Sequence, residues 1–260
     1  MAEIRRFYIK ADQISGDKAM ITGQDARHAR KVLRLGVGDP VILVDNSGYE
    51  YSGIIQRIAS KDMEVELGER KKGLTESPLK IDLAQAMIKT SKMDKMLKAV
   101  TEVGIHGWYP FYAARSVPKA KDPEERQARW VKIAAEAIKQ CERVRLPEIA
   151  PPGDFAGLLA RCADYDLGIV FWEKSRVPFA HIIQSSTNPP PGSVLVVIGP
   201  EGGIEDGEMA QLEQAGMIHA GLGPRILRAE TAALVACTLV QAVLGDLGGF
   251  PVRPADPLWA

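Results

Sequence analysis

Asp166–Glu173 (DLGIVFWE) and Ser193–Pro200 (SVLVVIGP) are runs in which apolar residues follow one another without the alternation of a strand that keeps one face in water. A strand reads this way when both of its faces are covered, the condition of parallel strands in a sheet with helices on either side. The neighbouring segments agree. Leu79–Met87 (LKIDLAQAM) and Gly107–Tyr112 (GWYPFY) read as further strands, and Met93, Met96, Leu97, Val100 and Val103 recur at helical spacing up to a stop near Gly104. Asp122 as N-cap, Pro123 at the first helical position and Glu124 and Glu125 in the first turn open a long helix lined by Trp130, Ile133, Ala134, Ala137 and Cys141. Glu208–Gly216 reads as a helix, Ile218–Gly223 as a strand, and Thr231–Gly248 as a final, strongly apolar helix. This alternation predicts an α/β domain with a mainly parallel sheet.

The first 75 or so residues are of another kind. Asp39–Ser60 alternates branched and aromatic residues around Asn46-Ser47-Gly48, which predicts a hairpin, and Asp62–Glu69 predicts another strand. Within this small β region Asp25–Leu35 (DARHARKVLRL) has helical spacing, with Arg27, Arg30, Lys31 and Arg34 on one side and Ala29, Val32 and Leu33 expected to pack inward. Charge, glycine and proline cluster at Arg70–Pro78, where a boundary is expected. The organisation expected is a β domain over 1–73, an α/β domain over 78–248 and a tail over 249–260.

The chain carries 33 basic and 33 acidic side chains, but unevenly: residues 1–149 hold 27 and 21, residues 150–260 hold 6 and 12. A basic first part suits an anionic partner, because phosphate neutralisation releases counterions; an ordinary solvated surface is the other reading. Cys141, Cys162 and Cys237 are widely spaced and form no C-x-x-C pair, and no apolar stretch reaches the ~20 residues of a membrane span. A soluble, cytoplasmic protein is expected, with no membrane association.

In open α/β sheets ligands bind beyond the carboxyl ends of the strands, so the loops there are the first places to look. Two stand out: Ile198–Gly203 (IGPEGG) and Leu222–Ala232 (LGPRILRAETA). Glycines in them allow positive φ and close approach of a flat ligand to the main chain, whereas the plainer reading of GPEGG is a turn. Neither loop has the G-x-x-x-x-G-K-[ST] of a P-loop or the G-x-G-x-x-G of a dinucleotide site, and no G-x-S-x-G elbow occurs. His28, His106, His181 and His219 are scattered without ligand spacing, so no metal is expected.

LVVIGPEGG followed by LGPRILRAETAALVA resembles the SPOUT methyltransferases, specifically the RsmE family, and RRFYI, DARHARKVLRLGVGD, KAVTEVGIHGWYPFYAARSV and RWVKIAAEAIKQCERVRLPEI are similar to successive family blocks in the family order. The resemblance implies a PUA-like N-terminal β-barrel that binds RNA, a C-terminal domain tied in a deep trefoil knot, S-adenosylmethionine bound at the knot, and a homodimer. It implies methylation of uridine N3 in 16S ribosomal RNA, in the decoding region near the 3′ end, with the assembled small subunit favoured as substrate. Carried onto the matching positions, the cofactor site would comprise Phe171, Trp172, Ile198, Gly199, Gly202, Gly203, Leu222, Gly223, Ile226, Leu227 and Thr231.

Two departures from the family pattern stand out. Glu205 occupies a position that is often Ser or Thr, which moves the expected helix cap to Asp206; and Ser91 replaces an acidic residue beside Lys92, which leaves the roles of Lys89 and Lys92 open. Methyl transfer to an imide nitrogen requires alignment and removal of a proton. Arg228, Glu201 and Glu230 are the polar side chains nearest in sequence to the expected methyl group. Arg228 is expected to steady the uracil anion at O2 or O4, and Glu201 to orient Arg228 or its loop; the alternative for Arg228 is a helix-start pair with Glu230. Arg6, Arg27, His28, Arg30, Arg34, Arg115 and Arg143 are the candidate RNA contacts, each of which also reads as merely solvated. A SPOUT enzyme acting on another RNA such as tRNA, and an RNA-binding protein without catalysis, are the rival readings.

Overall fold

The structure, a computed structural model, describes residues 4–116, 122–186 and 189–248. They fall into two compact units, one of the residues up to Glu76 together with Ala135–Leu146, the other of Ser77–Ala134 and the residues from Pro147 onward. The return of residues 135–146 to the first unit is absent from the contiguous division that the sequence suggests. The tail expected over 249–260 lies outside the described residues.

In the first unit, β1 (Arg5–Tyr8), β2 (Ile14–Ser15), β3 (Lys18–Thr22), β4 (Pro40–Val44), β5 (Tyr49–Ile58) and β6 (Asp62–Lys72) form a sheet of order β1-β4-β5-β6-β3-β2, antiparallel except for β1 with β4. The hairpin between β4 and β5 turns where the sequence predicts it, with Asn46 and Gly48 at positive φ. Alternate residues of β3 and β4, Ala19, Ile21, Val41 and Leu43, point into a core closed by Phe7, Ile55, Met63 and Val65. Helix α1 (Gly23–Lys31) seals this core with Ala26 and Ala29. It is shorter than its periodicity suggests: Val32, expected inside, is 64% exposed, and Arg34 lies beyond the helix at φ 58°.

The second unit contains β7 (Lys80–Ala86), α2 (Thr90–Glu102), β8 (Gly107–Tyr112), β9 (Glu148–Ile149), β10 (Gly153–Asp154), α4 (Phe155–Arg161), β11 (Leu167–Phe171), α5 (Phe179–Ser186), β12 (Ser193–Ile198), α6 (Asp206–Gln214), β13 (Ile218–Ala220) and α7 (Ala229–Leu244), with α3 (Pro123–Gln140) beginning here and ending in the first unit. The sheet order is β10-β8-β7-β12-β11-β13, every pair parallel, with β9 beside β8. β12 is inserted between β7 and β11, so β11 does not pair with β7. The apolar runs of β11 and β12 are buried throughout apart from Ser193, as strands covered on both faces should be. Helices end where their punctuation says: Asp122 caps α3 through Oδ1 to the Glu125 N–H (2.9 Å), and Gly104 and Gly216 follow α2 and α6 at positive φ. The N-cap of α6 is Glu205, not Asp206: its backbone N–H donates to Oε2 of Glu208 at 3.1 Å, since the chain stays extended at Glu205 and turns helical only at Asp206. No described helix is long and apolar enough to cross a membrane.

Candidate active site at the carboxyl ends of four adjacent strands

The register of the second sheet fixes the site. Ile198 at the end of β12 is opposite Gln85 of β7 on one side and Phe171 of β11 on the other, and Phe171 is opposite Ala220 of β13. Four strands are therefore level near one edge, and the segments that leave them, starting at Met87, Gly199, Trp172 and Gly221, emerge side by side. Two of these are the glycine-rich loops singled out in the sequence. Main-chain bonds tie neighbouring exits together: the Trp172 N–H donates to the Ala220 carbonyl and the Gly221 N–H to the Val177 carbonyl, both at 2.9 Å.

The first loop is a turn closed by the Gly203 N–H on the Pro200 carbonyl at 2.9 Å. Gly203 has φ 75°, where a β-carbon is strained, and an added β-carbon would come within 2.4 Å of Glu173 Oε1. The second loop carries Gly223 at φ 104°. Leu222 and Leu227 are half-buried, whereas Ile226 is 86% exposed. Phe171 and Ile198 are buried strand ends, and the Phe171 ring packs on Phe179 with centroids 5.6 Å apart, so Phe171 has its backbone rather than its ring at the edge. Thr231 is exposed on the first turn of α7.

Two buried polar atoms flank β12 without a partner among the described residues. Gln85 is wholly buried; its Nε2 donates to the carbonyls of Ala86 (2.8 Å) and Gly199 (3.2 Å), which leaves Oε1 unpaired. Across β12, Trp172 Nε1 is likewise unpaired. An unmatched acceptor and an unmatched donor, each costly to bury alone, suit a ligand that supplies both. Sequence reasoning missed Gln85, because a single polar residue in an apolar strand gives no sign of which way its amide points.

Charge is organised around a residue whose role the sequence left open. α2 packs against α7, which brings the first turns of both together. Lys92 Nζ lies 2.6 Å from Glu201 Oε1 in the first loop and 3.0 Å from Glu230 Oε1 at the start of α7. Hydrogen bonds to Glu201 and then Glu230 hold the ammonium above the usual lysine range. Burial alone would raise the Glu230 carboxyl, but its backbone hydrogen bond, the Lys92 ammonium and, less strongly, the charge of Arg228 outweigh this and keep it below the usual carboxylate range. Arg228 is the exposed N-cap of α7 and makes no ion pair among the described residues. Glu230 therefore does not pair with Arg228, and Glu201 sits on Lys92 rather than on Arg228: the amine reaches both carboxylates first.

The candidate RNA contacts separate. Arg27, His28, Arg30 and Arg34 are exposed along and just after α1. Arg143 is interior: its side chain is 5% exposed and its Nη2 donates to Glu76 Oε2 at 2.8 Å, while the Glu76 Oε1 accepts from the Val144 and Arg145 N–H groups. A guanidinium already satisfied inside the fold is not available to a phosphate. Arg6 is similarly committed to Glu50, with 11% of its side chain exposed. Arg115 lies beside the first loop, donating from Nη1 to the Gly202 carbonyl at 3.0 Å and from Nε to Glu205 at 3.3 Å.

The sequence profile of an RNA methyltransferase domain matches residues 75–241, and that of an RNA methyltransferase PUA domain matches residues 21–68. The ribosomal RNA small subunit methyltransferase E of Bacillus subtilis is 33% identical over 92% of this chain and 96% of its own length. The protein of the same name from Buchnera aphidicola is 29% identical over 94% and 95%. A crystal structure of ribosomal RNA small subunit methyltransferase E from Neisseria gonorrhoeae bound to S-adenosyl methionine superposes with a TM-score of 0.84, at 27% identity, over 94% of this chain and all of that one.

Proposed function

The chain belongs to the RNA methyltransferase family that includes ribosomal RNA small subunit methyltransferase E, and from that premise we propose that it methylates N3 of one uridine in 16S ribosomal RNA with S-adenosylmethionine as donor. The observation that carries the reading is the meeting, on one sheet edge, of two glycine-bearing loops, two unmatched buried polar atoms and an arginine without an ion pair. The residues fit the cofactor: Gly223 leaves its main chain open, with nothing within 4 Å of where a β-carbon would stand, the glycines of the first loop let it pack tightly on Ile204, Arg115 and Glu173, Gln85 Oε1 and Trp172 Nε1 offer an acceptor and a donor, and Leu222, Ile226 and Leu227 supply apolar cover. When bound, S-adenosylmethionine supplies an electrophilic methyl group on a sulfonium.

The protein's task is then to make a poor nucleophile competent. The uracil imide nitrogen attacks only as its proton leaves, and the charge that develops spreads over O2 and O4. Arg228 stands ready to stabilise that charge. Glu230 is engaged by Lys92, and the N3 proton is given up to solvent as the N–C bond forms and the methyl–sulfur bond breaks. No covalent enzyme intermediate is required, in keeping with Cys162 and Cys237 being buried thiols pushed up by burial.

RNA is held in part by the first unit, through Arg27, His28, Arg30 and Arg34. Replacing the three arginines with alanine is expected to reduce the salt dependence of RNA binding by about 2–3 in the slope of log K against log salt, with S-adenosylmethionine affinity unchanged. An unaltered slope would remove these residues from the interface. The half-buried Leu234, Val235 and Leu239 and the exposed Val243 of α7 support a homodimer, and a ribosomal substrate supports a cytoplasmic location; the family's trefoil knot belongs to the same proposal.

The deciding experiment incubates the purified protein, after its mass is measured by light scattering, with labelled S-adenosylmethionine and either small subunits or naked 16S RNA lacking the modification. A dimer that forms a single N3-methyluridine, faster on the assembled subunit, is the expected outcome. Transfer to tRNA alone, or binding without transfer, would overturn the substrate assignment.

A further inference from the structure

Lys92 occupies the first turn of α2, beside Lys89 at its N-cap, with no acidic residue in that turn. Backbone N–H groups and the helix dipole make this the wrong end for a cation. Local helix physics therefore does not account for Lys92; its two carboxylate partners do, and both come from elsewhere in the chain, 109 and 138 residues away. One of them, Glu201, sits in the loop after β12, and the other, Glu230, is two residues from Arg228. A single ammonium thus joins one wall of the site to the helix capped by Arg228.

We propose that Lys92 is a positioning residue: by drawing Glu201 and Glu230 onto one ammonium it fixes the Gly199–Glu205 loop against the first turn of α7 and keeps both carboxylates off Arg228, whose guanidinium stays free for the substrate anion. The inference rests on the methyl-transfer reading above. Without Lys92, two carboxylates lose their shared counter-charge next to an unpaired arginine. Glu230, two residues along the chain, then competes with the substrate for Arg228. The loop, still held by Arg115 at Gly202 and Glu205, loses its second tether.

The test uses the full-length protein and three variants, K92M, K92R and K92M/E230Q, compared by single-turnover methyl transfer, by calorimetric affinity for S-adenosylmethionine, and by hydrogen exchange of residues 199–205. K92M keeps the length and apolar stem of the side chain. It is expected to lower the single-turnover rate by about tenfold to a hundredfold, the usual consequence of a misplaced catalytic group, with cofactor affinity changed much less. K92R keeps the charge and is expected to stay within about threefold of wild type, and K92M/E230Q to regain most of the loss because the competing carboxylate is gone. A K92M enzyme at the wild-type rate overturns the proposal, and so does a K92M defect that E230Q leaves unrelieved, which would mark Lys92 as touching the substrate. Hydrogen exchange separates this from failure of the activity itself: in a protein that transfers no methyl group, faster exchange at 199–205 in K92M still supports the tether, and unchanged exchange removes it.

Discussion

Arg228→Ala is expected to lower the rate of methyl transfer by roughly 10²- to 10³-fold while leaving the affinity for S-adenosylmethionine within about twofold. The magnitude is that of removing one preorganised donor from a developing anion. Its basis is electrostatic. Arg228 caps α7 from an exposed position, and the acidic side chains that would otherwise quench it are occupied, with Glu201 and Glu230 both on Lys92. Such a guanidinium makes its strongest interaction only when charge appears opposite it, so its loss acts on the rate of the bound complex more than on binding. Arg228→Lys is expected to recover part of the rate, since a point charge replaces a planar fork. Single-turnover kinetics on saturated complexes read the effect directly. An alanine variant that transfers at the wild-type rate, with an unchanged far-UV spectrum, would take Arg228 out of the mechanism.

Trp130→Ala is expected to have the largest effect on stability, about 3–5 kcal/mol, seen as a melting temperature lower by roughly 10 °C. Trp130 is fully buried on α3 and meets the equally buried Trp108 of β8 edge to face, with centroids 6.0 Å apart and planes at 77°. Its indole N–H donates to Asp94 Oδ1 at 3.1 Å, while Asp94 Oδ2 accepts from Arg129 Nε and Nη2 at 3.0 and 2.6 Å. Truncation would leave a void between α3 and the sheet and strip Asp94 of one donor. Trp130→Phe keeps most of the ring and loses the N–H, so a smaller shift is expected. Thermal unfolding followed by circular dichroism measures both; a melting temperature within a degree or two of wild type for the alanine variant would mean that the site collapses around the missing ring.

Much of the fold was legible because the signals are local. Continuous apolar runs marked β11 and β12 as covered strands, Asp122 and Pro123 marked the start of α3, and Gly104 and Gly216 marked helix ends. Each depends on a residue and its near neighbours. The errors are also physical. Val32 fits the apolar spacing of α1 but lies past its last helical residue, so the periodicity outlasts the helix. Arg143 resembles any surface arginine in the sequence, and only the fold brings Glu76 to it.

The sequence by itself determined that the chain would build a β region followed by a parallel α/β sheet, and that two glycine-bearing loops would stand at the carboxyl ends of buried strands, because periodicity, capping and glycine's freedom at positive φ are properties of short segments. Only the tertiary structure decided that β12 lies between β7 and β11, so that Gln85, Ile198, Phe171 and Ala220 are level, and that Lys92 rather than Arg228 receives Glu201 and Glu230. The pairing of β12 with β7 and the ionic partnership of Lys92 are set by packing between segments more than a hundred residues apart, and nothing in the local pattern of either segment records the other.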